Sequence, residues 1–250
     1  MNYYIVTGTS SGIGEAIAKK LIHRKEKVFC ISRQINESLK ALATKNHSWL
    51  WYYETDLTQT LKIPGILKEI FSFIDEGEVA NVVLINNAGT LEPLGKSGSL
   101  NPGLIENHFK TNVIAPAILI NEFIRLSERL NAKKTIVNIS SGAASTPYAG
   151  WSNYCAAKSA LDMLTRTIGE EQKSKENPVR IFSVAPGIVD TKMQETIRNT
   201  NEELFPMKQK FEKLYAENKL SKADDVADKI ISLLFSDFPF TGDVTDLRNL

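Results

Sequence analysis

Residues 3–14 read Tyr-Tyr-Ile-Val-Thr-Gly-Thr-Ser-Ser-Gly-Ile-Gly, an apolar run that passes directly into a glycine-rich turn. The run Tyr3–Val6 predicts a buried strand, and a helical pattern begins at Gly14. A tight strand-to-helix turn needs a residue that tolerates positive φ, and a diphosphate needs backbone without a nearby Cβ. Gly8 and Gly12 can fill these roles, and Gly14 allows the helix to pack closely on the sheet. Because a helix N-terminus also attracts anions, the stretch predicts dinucleotide binding, although its spacing departs from Gly-x-Gly-x-x-Gly.

The rest of the chain alternates between strand-like and helix-like segments. Short apolar runs predict further strands at Val28–Ile31, Leu50–Tyr53, Val82–Ile85, Thr135–Ile139 and Val179–Val184. Helix-length segments lie between them, such as Ile63–Asp75. Because the runs lack polar and apolar alternation, we expect a parallel sheet of about seven strands with helices on both faces. This is a doubly wound α/β arrangement, the Rossmann fold, and residues 1–250 suit one domain of this kind.

Composition narrows the classes of partner. Lys and Arg number 30 against 29 Asp and Glu, and a net charge of +1 gives no field that would gather nucleic acid or anionic lipid. Cys30 and Cys155 form no CxxC pair and the histidines are scattered, so we expect neither a disulfide nor a metal site. The first strand begins beside Met1, and no apolar run reaches the roughly 18 residues of a membrane span. We therefore expect a cytoplasmic protein with reduced thiols.

The end of the second strand distinguishes between dinucleotides. An acidic residue there would bond a ribose 2′-OH, whereas Arg can pair with a 2′-phosphate. The strand ends at Ser32-Arg33, and no carboxylate follows until Glu37. We therefore predict NADPH as the cofactor, with Ser32 and Arg33 near its 2′-phosphate. Asp56-Leu57 follows the third strand, and the Asp56 carboxylate either meets the adenine amino group or caps the next helix.

Tyr154 and Lys158 stand four residues apart in the segment YCAAK, which places them on the same face of a helix. A free phenol has a pKa of about 10 and is a sluggish proton donor near neutrality, and a nearby cation lowers that pKa. YxxxK alone is common by chance and usually marks a solvated helix face. Ser141, however, follows the strand Thr135–Ile139, so its hydroxyl is expected at the carboxyl edge of the sheet. Open α/β sheets bind their ligands at that edge.

These motifs occur together in an order typical of a known family. The segments TGTSSGIG (7–14), NNAG (86–89), Ser141, YCAAK (154–158) and PGIVDT (186–191) resemble the short-chain dehydrogenase/reductase family over essentially the whole chain. The resemblance implies that Tyr154 donates a proton to a carbonyl and that Ser141 orients this carbonyl. Lys158 would lower the tyrosine pKa and hold the nicotinamide ribose. Asn112 matches the family's fourth catalytic position, on a kinked helix that holds a water, and its alternative interpretation is a helix-surface amide.

The same resemblance implies how a dinucleotide is bound. The turn Pro186-Gly187 would lie beside the nicotinamide, and Thr191 would bond its carboxamide. A hydride would pass to the carbonyl carbon while Tyr154 protonates the oxygen. The residues expected at the cofactor are Gly8, Ser10, Ser11, Gly12, Ile13, Gly14, Ser32, Arg33, Asp56, Leu57, Asn87, Ala88, Gly89, Tyr154, Lys158, Pro186, Gly187, Val189 and Thr191. A non-catalytic nucleotide-binding regulator is the alternative of a different class, and the complete catalytic set argues against it.

Local features are similar to the branch of the family that reduces ketones and aromatic α-diketones of the benzil type. Among them are NNAGTL (86–91) and DTKMQ (190–194). The residues that could line a flat apolar substrate pocket are Leu91, Pro147, Tyr148, Trp151, Met193 and Phe205, and ordinary core packing is the alternative for each. Sepiapterin-type pterin reduction is the alternative activity, because Asp246 stands where pterin-reducing relatives place an anchoring carboxylate. Asp243 is an equally exposed competitor for that position.

Two longer segments bear on the pocket and on assembly. Residues 192–219 follow the Pro-Gly turn, carry several large apolar side chains and lack strand character. We predict that they form a helical flap over the substrate pocket, and a solvated surface helix is the alternative. The family's paired helices, here Asn101–Leu130 and Trp151–Lys173, predict a homodimer or a homotetramer.

Overall fold

The computed structural model describes residues 1–238 and 240–250. The strands span Asn2–Thr7 (β1), Lys27–Ser32 (β2), Leu50–Glu54 (β3), Asn81–Asn86 (β4), Lys133–Ile139 (β5), Val179–Ala185 (β6) and Val244–Asp246 (β7). They form one 7-stranded sheet in the order β3-β2-β1-β4-β5-β6-β7, with every pairing parallel. The Rossmann fold expected from the sequence is confirmed, and each strand predicted with bounds lies inside an observed strand.

Helices cover both faces of this sheet. They span Gly12–His23 (α1), Glu37–Lys45 (α2), Ile63–Ser72 (α3), Pro102–Phe109 (α4), Ala115–Ser127 (α5), Ser152–Gln172 (α6), Lys192–Asn199 (α7), Lys208–Ala216 (α8) and Ala223–Leu234 (α9). Helices α1, α2 and α9 pack on one face, and α3 and α5 pack on the other. Among the described residues, no helix combines the length and the apolarity needed to cross a bilayer.

The first strand illustrates why the strand sequences are continuously apolar. Successive side chains of β1 point to opposite faces. Tyr3 and Ile5 belong to the core beneath α3 and α5, whereas Tyr4 and Val6 belong to the core beneath α1 and α9. All four side chains are at most 1% exposed. Both faces must therefore be apolar, which removes the alternation found in half-buried strands.

The strand order places a crevice at the carboxyl edge of the sheet. From β1 the chain proceeds to β2 on one side, and it later returns to β4 on the other side. Loops leaving β1 and β4 therefore diverge over opposite faces, and ligands of open α/β sheets bind in the crevice between them. The glycine-rich turn follows β1, the NNAG segment ends β4, and Ser141 follows β5.

The predicted helix Asn101–Leu130 is interrupted in the structure. Between α4 and α5, residues Lys110–Ile114 form a π-helical segment, closed by a bond from the Ala115 N–H to the Lys110 carbonyl. This segment contains Asn112, in agreement with the kink implied by the family resemblance. Single π turns inside α-helices occur frequently at functional sites.

Residues 192–219, called the flap below, contain α7 and α8, which are joined by a non-helical segment. A separate apolar cluster lies beneath the flap, where Phe205 stacks face to face on Trp151 with ring centroids 4.5 Å apart. Gly150 precedes this tryptophan with φ +88°, and a Cβ there would lie 2.3 Å from the Leu204 carbonyl oxygen. The flap is thus fixed to the start of α6 by a stacked pair and by a backbone contact that only glycine permits.

Candidate active site

A cavity of about 650 Å³ opens at the carboxyl edge of the sheet. One end is formed by the glycine-rich turn after β1, where Gly8 and Gly12 have φ of +71° and +66°. A Cβ on Gly14 would lie 2.3 Å from the Gly8 carbonyl oxygen, so this glycine packs beneath the turn, not on the cavity wall. Ser11 at the N-cap of α1 makes no side-chain capping bond to the described residues. The first N–H groups of α1 are therefore available to an anion, and the glycines leave space for a diphosphate.

The loops after β2 and β3 form the next part of the wall. Arg33 is exposed on this wall, and Ser32 is buried beside it. The Ser32 hydroxyl donates to the Gln34 carbonyl at 2.8 Å and lies 2.7 Å from the Tyr52 hydroxyl. Ser32 therefore holds the loop that presents Arg33. A 2′-phosphate fits this end because the nearest cation is solvent-accessible and the loop beneath it is fixed by hydrogen bonds.

Asp56 and Leu57 also line this end of the cavity. The Asp56 carboxylate accepts a hydrogen bond from the Thr58 N–H at 2.9 Å, which closes a turn immediately after β3. The next helical turn has Gln59 at its N-cap, and α3 has Lys62. The alternative in which Asp56 caps the following helix is therefore wrong.

The segment that ends β4 joins the glycine-rich turn to the catalytic side chains. The Asn87 amide donates to the carbonyls of Thr7 and Gly8 at 2.9 and 3.1 Å. Two residues further on, a Cβ at Gly89 would lie 2.9 Å from Asn112 Oδ1 and 3.8 Å from Lys158 Nζ. The NNAG segment thus packs against both ends of the cavity, and any side chain at Gly89 would press on Asn112.

Tyr154 and Lys158 lie on the first turns of α6 and are 7% and 5% exposed. Lys158 Nζ donates to the Ile139 carbonyl at 2.7 Å, which fixes the ammonium at the end of β5. Burial lowers the pKa of Lys158 to about 8, and the carboxylate of Asp162 acts in the opposite direction. A buried ammonium with this pKa is poised to exchange a proton near neutrality.

The pKa of Tyr154 departs from the sequence expectation. Burial raises it to about 12, and a hydrogen bond with Ser141 opposes the shift only in part. Lowering of this pKa by Lys158, implied by the family resemblance, is not found here, and burial, which disfavours the charged phenolate, is the largest cause of the shift. A phenol with a raised pKa keeps its proton at neutral pH and is therefore held as a donor.

Asn112 is held by the loop that follows β4. Its Oδ1 accepts from the Thr90 N–H at 3.0 Å, and its Nδ2 donates to the Thr90 carbonyl at 2.9 Å. Its side chain is 1% exposed, so the alternative of a helix-surface amide is wrong. The π segment is therefore tied to the cavity wall, with the Asn112 amide in a fixed orientation.

The predicted substrate residues divide into two groups. Leu91 and Met193 line the cavity. Tyr148 and Trp151 do not line it. Trp151 is 5% exposed and its ring faces Phe205 of the flap, and Tyr148 packs against Trp151. Their placement on the cavity wall was wrong, and the competing interpretation as core packing holds for both.

The structure places three further predicted site residues away from the cavity wall. Gly187 has φ +79° and packs against the side chain of Arg248, and Val189 pairs with Ser221 in an isolated bridge. Neither lies on the cavity wall, although Pro186 and Thr191 on either side do. Asp246 is also absent from the wall, and its carboxylate binds the Arg248 guanidinium at 2.9 and 2.6 Å. This ion pair lowers the pKa of Asp246 and occupies the group proposed as a pterin anchor.

Sequence reasoning missed His108 among the buried residues of the site. His108 is fully buried, lies beside Tyr154 and lines the cavity. In the sequence, His108 is one of three scattered histidines that argue only against a metal site. The available signal was its position four residues before Asn112, which places the two side chains on one helix face.

Comparison with known proteins identifies the family. A family model described as "short chain dehydrogenase" matches residues 2–202. The chain belongs to this family. As a short-chain dehydrogenase it is an oxidoreductase, and the family uses nicotinamide dinucleotides.

This short-chain dehydrogenase has well-matched relatives over nearly its full length. It is 39% identical to benzil reductase ((S)-benzoin forming) of Bacillus cereus over 94% of both chains. It is 31% identical to sepiapterin reductase of Rattus norvegicus, over 93% of this chain and 91% of the relative. The crystal structure of the KRED1-Pglu enzyme superposes with a TM-score of 0.83 at 27% identity, covering 98% of this chain and 100% of that one.

Proposed function

We propose that this protein is an NADPH-dependent carbonyl reductase that converts a ketone or a benzil-like aromatic α-diketone to the hydroxy compound. The observation that carries the proposal is one continuous cavity, with the glycine-rich turn at one end and Tyr154 and Lys158 at the other. The identity of 39% to the Bacillus cereus benzil reductase favours a dicarbonyl substrate.

The residues of the cavity fit NADPH. The glycine-rich turn and the N-terminus of α1 would hold the diphosphate, and Arg33 would pair with the 2′-phosphate. Lys158 would reach the nicotinamide ribose from the end of β5. When bound, the nicotinamide supplies a hydride to the carbonyl carbon.

The residues of the chain supply the proton and orient the substrate. Tyr154, kept protonated by its raised pKa, donates its proton to the carbonyl oxygen. Ser141 holds the same oxygen within reach of the phenol. Lys158, whose pKa is about 8, returns a proton toward Tyr154 after the transfer. The buried surroundings exclude water from the reacting bond and strengthen these interactions.

The wall beside Tyr154 supports an aromatic substrate. Leu91 and Met193 contribute apolar surface, and Leu104 of α4 lies on the same wall. Pockets that bind small aromatic molecules are apolar with a few polar groups that fix orientation. We assign Met193, near the start of the flap (residues 192–219), as the flap side chain in contact with the substrate.

A pterin reductase is the second candidate, favoured by the 31% identity to rat sepiapterin reductase. The ion pair between Asp246 and Arg248 argues against it, because a pterin amino group would have to compete with a guanidinium for that carboxylate.

NADPH oxidation tests both candidates directly. We expect rapid turnover with benzil and 1-phenyl-1,2-propanedione, and slower turnover with sepiapterin and simple ketones. Tyr154→Phe should bind NADPH normally and lose turnover by at least about 10²-fold, since it removes the general acid. Tyr215→Phe, a half-exposed tyrosine on α8, is the matched control and should retain full activity. Unchanged turnover in Tyr154→Phe would refute the assignment, and a marked preference for sepiapterin would favour the second candidate.

We further propose that the enzyme is a homodimer or homotetramer in the cytoplasm. Ile114 and Met163, on the paired helices, are 43% and 58% exposed, and association would remove their apolar surface from water. Cys30 and Cys155 are free thiols, which suits a reducing compartment. Light scattering after gel filtration should give two or four copies, and a monomer at micromolar concentration would contradict the proposed assembly.

A further inference from the structure

His108 occupies the last turn of α4 and is fully buried beside the catalytic tyrosine. Its ring packs edge to face against Tyr154, with centroids 6.2 Å apart. The residue one turn later is Asn112, in the π segment. None of the steps described above uses this imidazole, although it touches Tyr154, on which those steps depend, and Asn112.

The neighbours of His108 determine which ring nitrogen carries the proton. Nδ1 lies 2.7 Å from the Glu92 carbonyl oxygen, which can only accept, so Nδ1 must be the donor. Nε2 lies 3.1 Å from Asn112 Nδ2, which can only donate, so Nε2 must be the acceptor. Only the neutral imidazole with its proton on Nδ1 satisfies both contacts.

The orientation of the Asn112 amide is fixed independently. Thr90 presents its N–H to Oδ1 and its carbonyl to Nδ2, so a rotated amide would lose both bonds. Asn112 Nδ2 therefore uses one hydrogen for Thr90 and the other for His108 Nε2. His108, Asn112 and Thr90 thus form one hydrogen-bonded unit that connects α4, the π segment and the loop after β4.

We propose that His108 is a positioning residue of the reductase site, which fixes Asn112 and the π segment beside Tyr154 and Lys158 through a neutral, Nδ1-protonated imidazole. The kinetic part of this assignment rests on the proposed function. Its structural part concerns the tautomer and stands without it.

The groups around the imidazole explain why it remains neutral. Burial is the main cause that lowers the pKa of His108, and the Lys158 ammonium acts in the same direction. The carbonyls of Glu92 and Asn153 oppose this shift. Tyr154, the other titratable group in contact, is uncharged at neutral pH because its pKa is raised. Protonation would put a hydrogen on Nε2, which would then face the hydrogens of the Asn112 amide, and the bond between these two groups would be lost.

Two substitutions separate positioning from packing. His108→Phe keeps a ring against Tyr154 but removes both hydrogen bonds, whereas His108→Gln retains an acceptor that can face Asn112. We expect His108→Phe to lower kcat about tenfold with whichever carbonyl the wild type reduces. This is less than the factor of about 10² to 10⁴ that acid–base catalysis supplies, because the proton donor itself is retained. The KM for the carbonyl substrate and the Kd for NADPH should each change by less than about twofold. His108→Gln should retain most of kcat, and it should lack the loss of rate at acid pH that protonation of His108 causes in the wild type.

A double-mutant cycle tests whether His108 acts through Asn112. If it does, His108→Phe combined with Asn112→Ala should be no slower than Asn112→Ala alone. Additive losses, equal losses in the Phe and Gln variants, or unchanged kcat in His108→Phe would each overturn the proposal. If neither variant folds, the tautomer of the His108 imidazole in the wild-type protein tests the proposal.

The ¹⁵N NMR shifts of the imidazole give a reading that needs no turnover. The chain has 3 histidines, and His23→Gln and His47→Gln, both at exposed positions, identify the remaining signal set as that of His108. We expect the Nδ1–H tautomer at pH 7 and a pKa below the ordinary value. The Nε2–H tautomer, or a protonated ring at pH 7, would refute the inference. Absence of turnover with every carbonyl would refute the proposed function without affecting this result.

Discussion

Replacement of Arg33 by serine should remove the proposed selectivity for NADPH and leave a site that barely distinguishes NADPH from NADH. Arg33 follows β2 on the cavity wall, and its side chain makes no ion pair with the described residues. The guanidinium is therefore available to the 2′-phosphate, which NADH lacks.

The size of the effect follows from the exposure of Arg33. Two unit charges about 4 Å apart attract by about 1 kcal/mol in water and by about 4 kcal/mol at an effective dielectric constant of about 20. Arg33 is exposed, so the lower part of this range applies, and the second phosphate charge roughly doubles the attraction. A loss of about 1.4–2.8 kcal/mol corresponds to about 10- to 100-fold weaker binding of NADPH.

Fluorescence titration of both dinucleotides measures this loss without turnover. We expect the Kd of NADPH to rise about 10- to 100-fold and that of NADH to stay within about twofold. Arg33→Lys keeps the charge without the planar fork and should fall between wild type and Arg33→Ser. The wild-type preference should also shrink as salt is added. Equal weakening of both dinucleotides, or no change in either, would refute the role given to Arg33.

Two further substitutions test the packing around the cavity. Gly150→Ala adds a Cβ 2.3 Å from the Leu204 carbonyl at φ +88°, so limited proteolysis should cut the flap faster, whereas Gly65→Ala, whose Cβ meets nothing within 4 Å, should not. Lys158→Met should abolish turnover yet stabilise the enzyme without added cofactor. The pKa of Lys158 is about 8 in the folded protein and 10.5 in the unfolded chain. The free energy of unfolding therefore falls as the pH is lowered from 10.5 to 8, and the full cost of burying the ammonium is present at pH 7. That penalty is about 3 kcal/mol, offset by about 1 kcal/mol for the lost bond to Ile139, so urea unfolding should show a net gain of about 2 kcal/mol. A less stable variant would contradict this.

The sequence predicted the parts of the site that depend on local geometry. A glycine after a buried strand, or a tyrosine and a lysine one helical turn apart, implies its own arrangement because neighbours along the chain determine it. The carboxyl edge of a parallel sheet then brings such motifs together. Gly8, Gly12, Tyr154 and Lys158 therefore lie on one cavity as expected.

The residues that sequence reasoning misplaced depend on contacts between distant segments. An aromatic side chain such as Trp151 suits either a substrate pocket or a core, and only its pairing with Phe205 of the flap decides between them. Asp246 is predicted to be free to bind a pterin, but in the structure its carboxylate pairs with Arg248. The pKa of Tyr154 depends on how much water its ring loses, and a motif does not reveal this balance.

The attachment of the flap to the start of α6 links two properties that are often altered separately. Trp151, which stacks on Phe205 of the flap, is the N-cap of α6 and stands three residues before Tyr154, the proposed proton donor. We therefore expect substitutions that reshape the flap to displace the start of α6 as well. A change that alters which substrate fits would then also alter the position of the proposed proton donor.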